Sequence, residues 1–167
     1  MKAVATLLVA ACFFVAVSGC GYTVATTHLS EEYRTIAVPA FENRSFEPEL
    51  QIRVTNQLIR EIETDGRLRV VDDPASADLV LVGVITDFDA HAISFTVNDE
   101  VAQFRIMIVV DARIEDTRTK EVVWQRSGVT GADFYQTFGG RSRETALDEA
   151  TENLVETIVY ESFDGFW

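Results

Sequence analysis

Hydrophobic and polar residues alternate most regularly between Val101 and Glu115. A repeat of two residues is that of a β-strand with one face in a core and the other toward water or a polar partner. The pattern therefore predicts a strand, followed by a turn at Asp116–Lys120 and an antiparallel return strand over Glu121–Thr130. The face expected in the core carries Ala102, Phe104, Ile106, Ile108, Val110, Ala112 and Ile114, and the polar face carries Gln103, Arg105, Met107, Val109, Asp111, Arg113 and Glu115.

Two other segments have the spacing of amphipathic helices. The first is expected to have Pro48 in its first turn and to end at Asp65-Gly66, because proline suits a helix start and glycine a helix end. The second is expected to begin after Ser142, whose hydroxyl can cap the helix, with Glu144 near its amino end. The expected buried positions are Leu50, Val54, Leu58 and Ile62 in the first helix and Leu147, Ala150, Leu154 and Ile158 in the second.

Shorter apolar runs predict the remaining strands, at Thr35–Ala40, Leu68–Val71 and Leu79–Ile85, the last continuing to Asp89. The segment His91–Glu100 is either a hairpin tip or a pair of strand extensions around a turn. Loops are expected at Phe41–Ser45 and Gly131–Gly140. Because both helices are apolar on one side only, these elements predict an α+β two-layer sandwich. Its two helices would pack on one face of a mixed, mostly antiparallel sheet of four or five strands.

The amino-terminal segment has the layout of a secretory signal peptide. Lys2 precedes an apolar run, and Val17-Ser18-Gly19-Cys20 follows it. This tetrapeptide resembles the bacterial lipobox, which implies cleavage after Gly19 and acylation of Cys20. The alternatives are a soluble secreted protein cut nearby and an uncut anchor. The expected organisation is a signal peptide over 1–19, a lipidated tether over 20–33 and a single domain over 34–167. Gly21, where the sorting rule for retained lipoproteins has aspartate, implies the outer membrane.

Charge and cysteine content narrow the classes of function. The chain has 14 Lys and Arg against 27 Asp and Glu, a formal charge of −13, and loss of Lys2 with the signal peptide gives −14. Such a charge repels phosphate backbones, so nucleic acid is not an expected partner. Of the two cysteines, Cys12 leaves with the signal peptide and Cys20 carries lipid. No disulfide is therefore expected in the mature domain.

The sequence shows no recognisable catalytic or metal-binding pattern. The two histidines, His28 and His91, are far apart in sequence and lack spaced ligands, so no metal site and no cofactor are expected. No Ser-His-Asp or Cys-His set can be assembled, and no glycine-rich nucleotide loop follows a strand. The carboxylates of the polar strand face are interpreted as a solvated surface. The chain is therefore expected not to be an enzyme.

Four motifs carry a resemblance to a known family. They are Cys20-Gly21-Tyr22, the run Thr-Ile-Ala-Val-Pro-Ala-Phe-Glu-Asn over residues 35–43, the Ala-Asp-Leu-Val strand over 77–85, and the hairpin over 116–124. In this order and spacing they resemble the LptE family of lipopolysaccharide-assembly lipoproteins. The resemblance implies an outer-membrane lipoprotein that plugs the LptD β-barrel, helps it assemble and supports delivery of lipopolysaccharide. Candidate contacts with the barrel or with lipopolysaccharide are Arg105, Arg113, Arg118 and Lys120.

Two other interpretations remain open at this point. The opening strand and the Ala-Asp-Leu-Val strand also look like amino-terminal domains of TolB-type and CsgG-type secretion components, which are interaction modules or subunits of ring-shaped pores. The other alternative is a lipid carrier with an internal cavity. The aromatic tail, Phe163–Trp167, is expected to pack on the domain, with a partner or bilayer contact as its alternative.

Overall fold

The computed structural model describes residues 33–97 and 100–163. The expected signal peptide, Cys20, nearly all of the tether and the last four residues of the tail lie outside these ranges. The elements are β1 (Thr35–Ala37), β2 (Glu42–Asn43), α1 (Leu50–Asp65), β3 (Arg69–Val70), β4 (Leu79–Phe95), β5 (Val101–Asp116), β6 (Val122–Gln136) and α2 (Arg143–Phe163).

The two helices follow their apolar spacing closely. The four expected positions of α1 and the four of α2 are all buried. Gly66 ends α1 in a left-handed conformation (φ 75°), and its N–H donates to the Ile62 carbonyl. At the start of α2, the Ser142 hydroxyl accepts a hydrogen bond from the Thr145 N–H at 3.1 Å, as a capping serine does. Pro48 lies two residues before the first residue of α1, outside the helix rather than in its first turn.

All six strands belong to one sheet, in the order β3-β1-β4-β5-β6, with β2 also paired to β4. β1 pairs in parallel with β3 and with β4, and β2 pairs in parallel with β4. The pairs β4–β5 and β5–β6 are antiparallel. Both helices are on the same side, and the core fills the space between them and the sheet. The predicted α+β sandwich is confirmed, with six strands instead of four or five.

The predicted hairpin at Asp116–Lys120 is confirmed. The Lys120 N–H donates to the Asp116 carbonyl and the Asp116 N–H to the Glu121 carbonyl, both at 2.9 Å. In β5 the face predicted for the core is the face that packs under the helices, because Ile106, Ile108, Val110 and Ile114 are inaccessible to solvent. Of the two alternatives for His91–Glu100, the structure has strand extensions around a turn. There the Thr96 N–H donates a hydrogen bond to the Glu100 carbonyl at 2.7 Å.

Two predicted loops are wrong. The first is the loop expected at Phe41–Ser45, which contains a short strand because Glu42–Asn43 pairs in parallel with Val84–Ile85. The expected loop at Gly131–Gly140 is strand as far as Gln136. Gly131 does not mark a turn, because its role is to let α2 approach the sheet. A Cβ there would lie 2.1 Å from the Ala150 carbonyl oxygen and 2.5 Å from the Leu154 Cβ.

Candidate functional site

The sheet face turned away from the helices, here called the outer face, is not covered by either helix. Because cross-strand partners share a face, the register places neighbours of β4 and β6 beside each outer residue of β5. Along β5 this face is half-buried, apart from Arg113, which is exposed. Its charged members are Asp87, Asp89 and His91 of β4 and Arg105, Asp111, Arg113 and Glu115 of β5.

Most of these charges have partners within the face. The Arg113 guanidinium contacts Glu115 at 2.5 Å, and the Asp111 carboxylate accepts the Gly128 N–H at 2.8 Å. His91 Nδ1 is bonded to Asp89. Arg113 and Glu115 therefore neutralise one another, whereas the hydrogen bond from the Gly128 N–H leaves the charge of Asp111 in place.

Arg105 differs from Arg113 in having no acidic partner among residues 33–97 and 100–163. It lies between His91 of β4 and Phe134 of β6, its direct cross-strand neighbours. Its Nε is buried and makes no hydrogen bond within the described residues. A buried donor without a partner is costly. Because the side chain as a whole is only half-buried, its charged end can donate hydrogen bonds to an anion of another molecule.

The four candidate contact residues do not form one cluster. Arg118 and Lys120 lie on the exposed β5–β6 turn, where Lys120 adopts a left-handed conformation (φ 63°). Arg113 is close to that turn, whereas Arg105 is eight residues away along the same strand, about 27 Å at a strand's rise. A single compact ligand therefore cannot contact Arg105 and the turn cations together.

The end of the sheet at the β5–β6 turn, here called the closed end, holds the chain where it enters the domain. The Tyr33 hydroxyl donates to Asp116 at 2.8 Å. Asp78 accepts hydrogen bonds from the Arg34 N–H, the Thr35 N–H and the Thr35 hydroxyl, at 2.8–2.9 Å. These bonds fix the position at which the preceding segment joins the fold.

The ionisation of these groups agrees with their contacts. Burial, together with the hydrogen bond to Asp116, raises the pKa of Tyr33 to about 12. The Arg34 backbone N–H and then the Thr35 hydroxyl lower the pKa of Asp78, and the Thr119 N–H and Tyr33 hydroxyl lower that of Asp116. Sequence reasoning placed Tyr33 in the tether and missed this cluster. The Asp116 turn was visible in the sequence, but its partner 83 residues earlier was not.

The opposite end, at the β4–β5 turn, is here called the open end. Here Ile93, Phe95 and Val97 are exposed, and so are Phe134 and Phe138 at the end of β6. The Thr137 N–H donates to the Ala102 carbonyl at 3.3 Å, which brings the Phe138 segment beside β5. The interpretation of Gly131–Gly140 as a loop concealed this arrangement, because only a strand running to Gln136 brings these aromatic side chains to one place.

The groove between the two helices is a weaker candidate for a binding site than the sheet. A groove of about 690 Å³ between α1 and α2 is lined by charged side chains including Arg53, Glu144 and Asp148, with Arg53 paired to both acids. Such a lining suits water better than an acyl chain. Neither α1 nor α2 has the length and hydropathy to cross a membrane. In the part of the chain that the structure describes, no three His, Cys, Asp or Glu residues are grouped as metal ligands.

A family model described as "LptE: Lipopolysaccharide-assembly" matches residues 33–162, which include every described strand, α1 and all of α2 except its last residue. The chain belongs to the LptE family. Among curated proteins, none matches the sequence.

Solved structures share the LptE-family chain's fold at low sequence identity. PelC from Paraburkholderia phytofirmans, solved as a dodecamer, is 17% identical, with a TM-score of 0.54 over 79% of this chain and 90% of PelC. Lipoprotein B from Nitrosomonas europaea is 15% identical, with a TM-score of 0.54 over 86% and 89% of the two chains. A putative lipoprotein from Caulobacter crescentus is 13% identical, with a TM-score of 0.54 over 85% and 95%. These likenesses establish the fold alone.

Proposed function

We propose that this protein is an outer-membrane lipoprotein that fits inside an LptD-like β-barrel as a plug, helps the barrel assemble, and supports insertion of lipopolysaccharide into the outer leaflet. The LptE-family match over residues 33–162 carries the proposal. The protein acts by binding and not by catalysis. Acyl chains on Cys20 hold it on the periplasmic side of the membrane, since two or more chains anchor a protein stably.

The outer face suits a plug. The interior of a large barrel is polar and wet, so a subunit inside it needs a surface that tolerates water and can exchange hydrogen bonds. The outer face combines half-buried apolar residues with charged side chains, of which Arg113 and Glu115 neutralise one another and Asp111 accepts a hydrogen bond. Arg105, Arg113, Arg118 and Lys120 remain the candidate contacts with the barrel or with lipopolysaccharide. Their separation means that they would serve two different contacts.

Co-purification tests the proposal. The full-length protein, tagged at its carboxyl end, is extracted in detergent from outer membranes of the native organism, which are then probed for the LptD-family barrel. We expect a complex of one copy with one barrel. In a Cys20→Ala variant, palmitate labelling and membrane retention should be lost. The proposal fails if the barrel is absent from the complex, or if palmitate still labels the variant.

The alternative is a TolB-type or CsgG-type component, either an interaction module or a pore-forming ring. One observation favours the ring: β4 beyond Ile85 and the outer edge of β6 have no strand partner within the described residues, so both edges could pair with neighbouring copies. The mass of the detergent-extracted protein separates the two functions. A ring of many copies without a barrel would support the pore, and a single copy bound to a barrel supports the plug.

A further inference from the structure

We propose that the open end of the sheet is the surface by which this protein holds its barrel partner, and that the partner supplies an apolar pocket together with a carboxylate for Arg105. The inference rests on the proposed function, because it specifies where the barrel is bound. It concerns Phe95, Val97, Phe134 and Phe138 and the guanidinium beside them.

The first argument is composition and exposure. Phe95 is 60% exposed, Phe138 is 69% exposed and Val97 is fully exposed, although these side chains lie at one end of a single sheet. Large apolar residues grouped on a surface mark an interaction site more often than scattered ones do. Aromatic residues and arginine are also the residue types that dominate the binding energy of protein interfaces.

The second argument is the state of Arg105. Its buried Nε lacks a hydrogen bond within the described residues, while Arg113 on the same face is paired with Glu115. Phe134 is its direct neighbour in β6, so the unpaired guanidinium adjoins the apolar surface. A carboxylate from a partner would neutralise the half-buried guanidinium and add direction to an apolar contact.

The third argument is that the segment between Cys20 and Tyr33 is too short to reach this end. Tyr33 is bonded to Asp116 at the closed end, and β4 has 17 residues, so the open end is about 50 Å away. After the proposed cleavage, the 13 steps from Cys20 to Tyr33 span at most about 45 Å.

Charge argues against the two other occupants. Two copies packed through this end would bring together two chains of formal charge −13, with the exposed Glu100 of each copy at the contact. A phospholipid surface would place the same glutamate against phosphates. A different protein can provide an apolar pocket and one carboxylate without either repulsion.

Photocrosslinking in the full-length, lipidated protein tests the inference. Phe138 is replaced by p-benzoylphenylalanine in one variant, and Tyr160 on α2 is replaced in a matched control, since the two side chains are 69% and 67% exposed. We expect the variant at 138 to crosslink to the native LptD-family barrel and the control at 160 not to. Crosslinks at 138 to a second copy or to phospholipid would overturn the inference.

A second set of variants measures the contribution to binding. Arg105→Glu and the double change Phe95→Ser with Phe138→Ser should each reduce the barrel recovered with the tagged protein by about tenfold or more, whereas Tyr160→Ser should not. The urea midpoint of each variant verifies that it is folded. If the barrel is recovered equally with all variants, the proposed function stands and this surface is wrong. If the unaltered protein recovers no barrel, the proposed function fails and the inference with it.

Discussion

The two faces of β5 show how one strand can meet two different requirements. Ile106, Ile108 and Val110 on its inner face are completely buried beneath the helices. Gln103 and Arg105 on its outer face remain partly accessible. Side chains on the inner face must fill a fixed volume without a polar atom, while those on the outer face have only to tolerate water. The inner face therefore specifies the fold and leaves the outer face for recognition.

The largest expected effect on stability comes from placing a charge on the inner face, compared with the same charge on the outer face. Ile108→Asp places a carboxylate at a position that solvent cannot reach, and should reduce the free energy of unfolding by roughly 4 kcal/mol or more. Gln103→Asp, five residues earlier on the outer face, should change it by about 0.5 kcal/mol or less. Urea denaturation followed by circular dichroism measures both. Equal losses in the two variants would show that the faces are assigned incorrectly.

A smaller change sharpens the description of the inner face. A Cβ on Gly83 would lie 2.1 Å from Cε2 of the Phe41 ring, so Gly83→Ala should cost about 1–3 kcal/mol of unfolding free energy. Phe41→Leu shortens the obstructing side chain. In the Phe41→Leu background, Gly83→Ala should reduce the free energy of unfolding clearly less. The difference between the two reductions measures the contact between residue 83 and the Phe41 ring directly. If the losses of unfolding free energy in the two single variants simply add in the double variant, the Phe41 ring is not the obstacle.

Much of the fold could be predicted because its signals are local. The alternation in β5, the four-residue spacing in α1 and the capping Ser142 each depend on residues within a few positions of one another. One of the two wrongly predicted loops came from a glycine. Gly131 looks like a turn residue, but the close approach of α2 requires it, and that requirement is visible only once the helix is in place.

The candidate site was harder to predict for the same reason. The sequence identified Arg105, Arg113, Arg118 and Lys120 as cations near a polar face. It could not show that Glu115 neutralises one of them, or that Arg105 has no described partner. The apolar open end was missed because Phe95 and Phe138 are 43 residues apart in sequence. Pairing of β4 with β5, and of β5 with β6, is what joins them.

The smallest expected effect concerns Arg113 and completes the comparison of the faces. Its pair with Glu115 is exposed to solvent, and such pairs contribute at most about 1 kcal/mol, so Arg113→Ala should hardly alter the free energy of unfolding. It should also leave recovery of the barrel unchanged, because a guanidinium already neutralised by Glu115 has little charge to offer a partner. Chemical denaturation and co-purification measure the two quantities. If Arg113→Ala lost the barrel while Arg105→Glu kept it, binding would have to occur at the closed end, near Arg118 and Lys120, and the open end would need another partner.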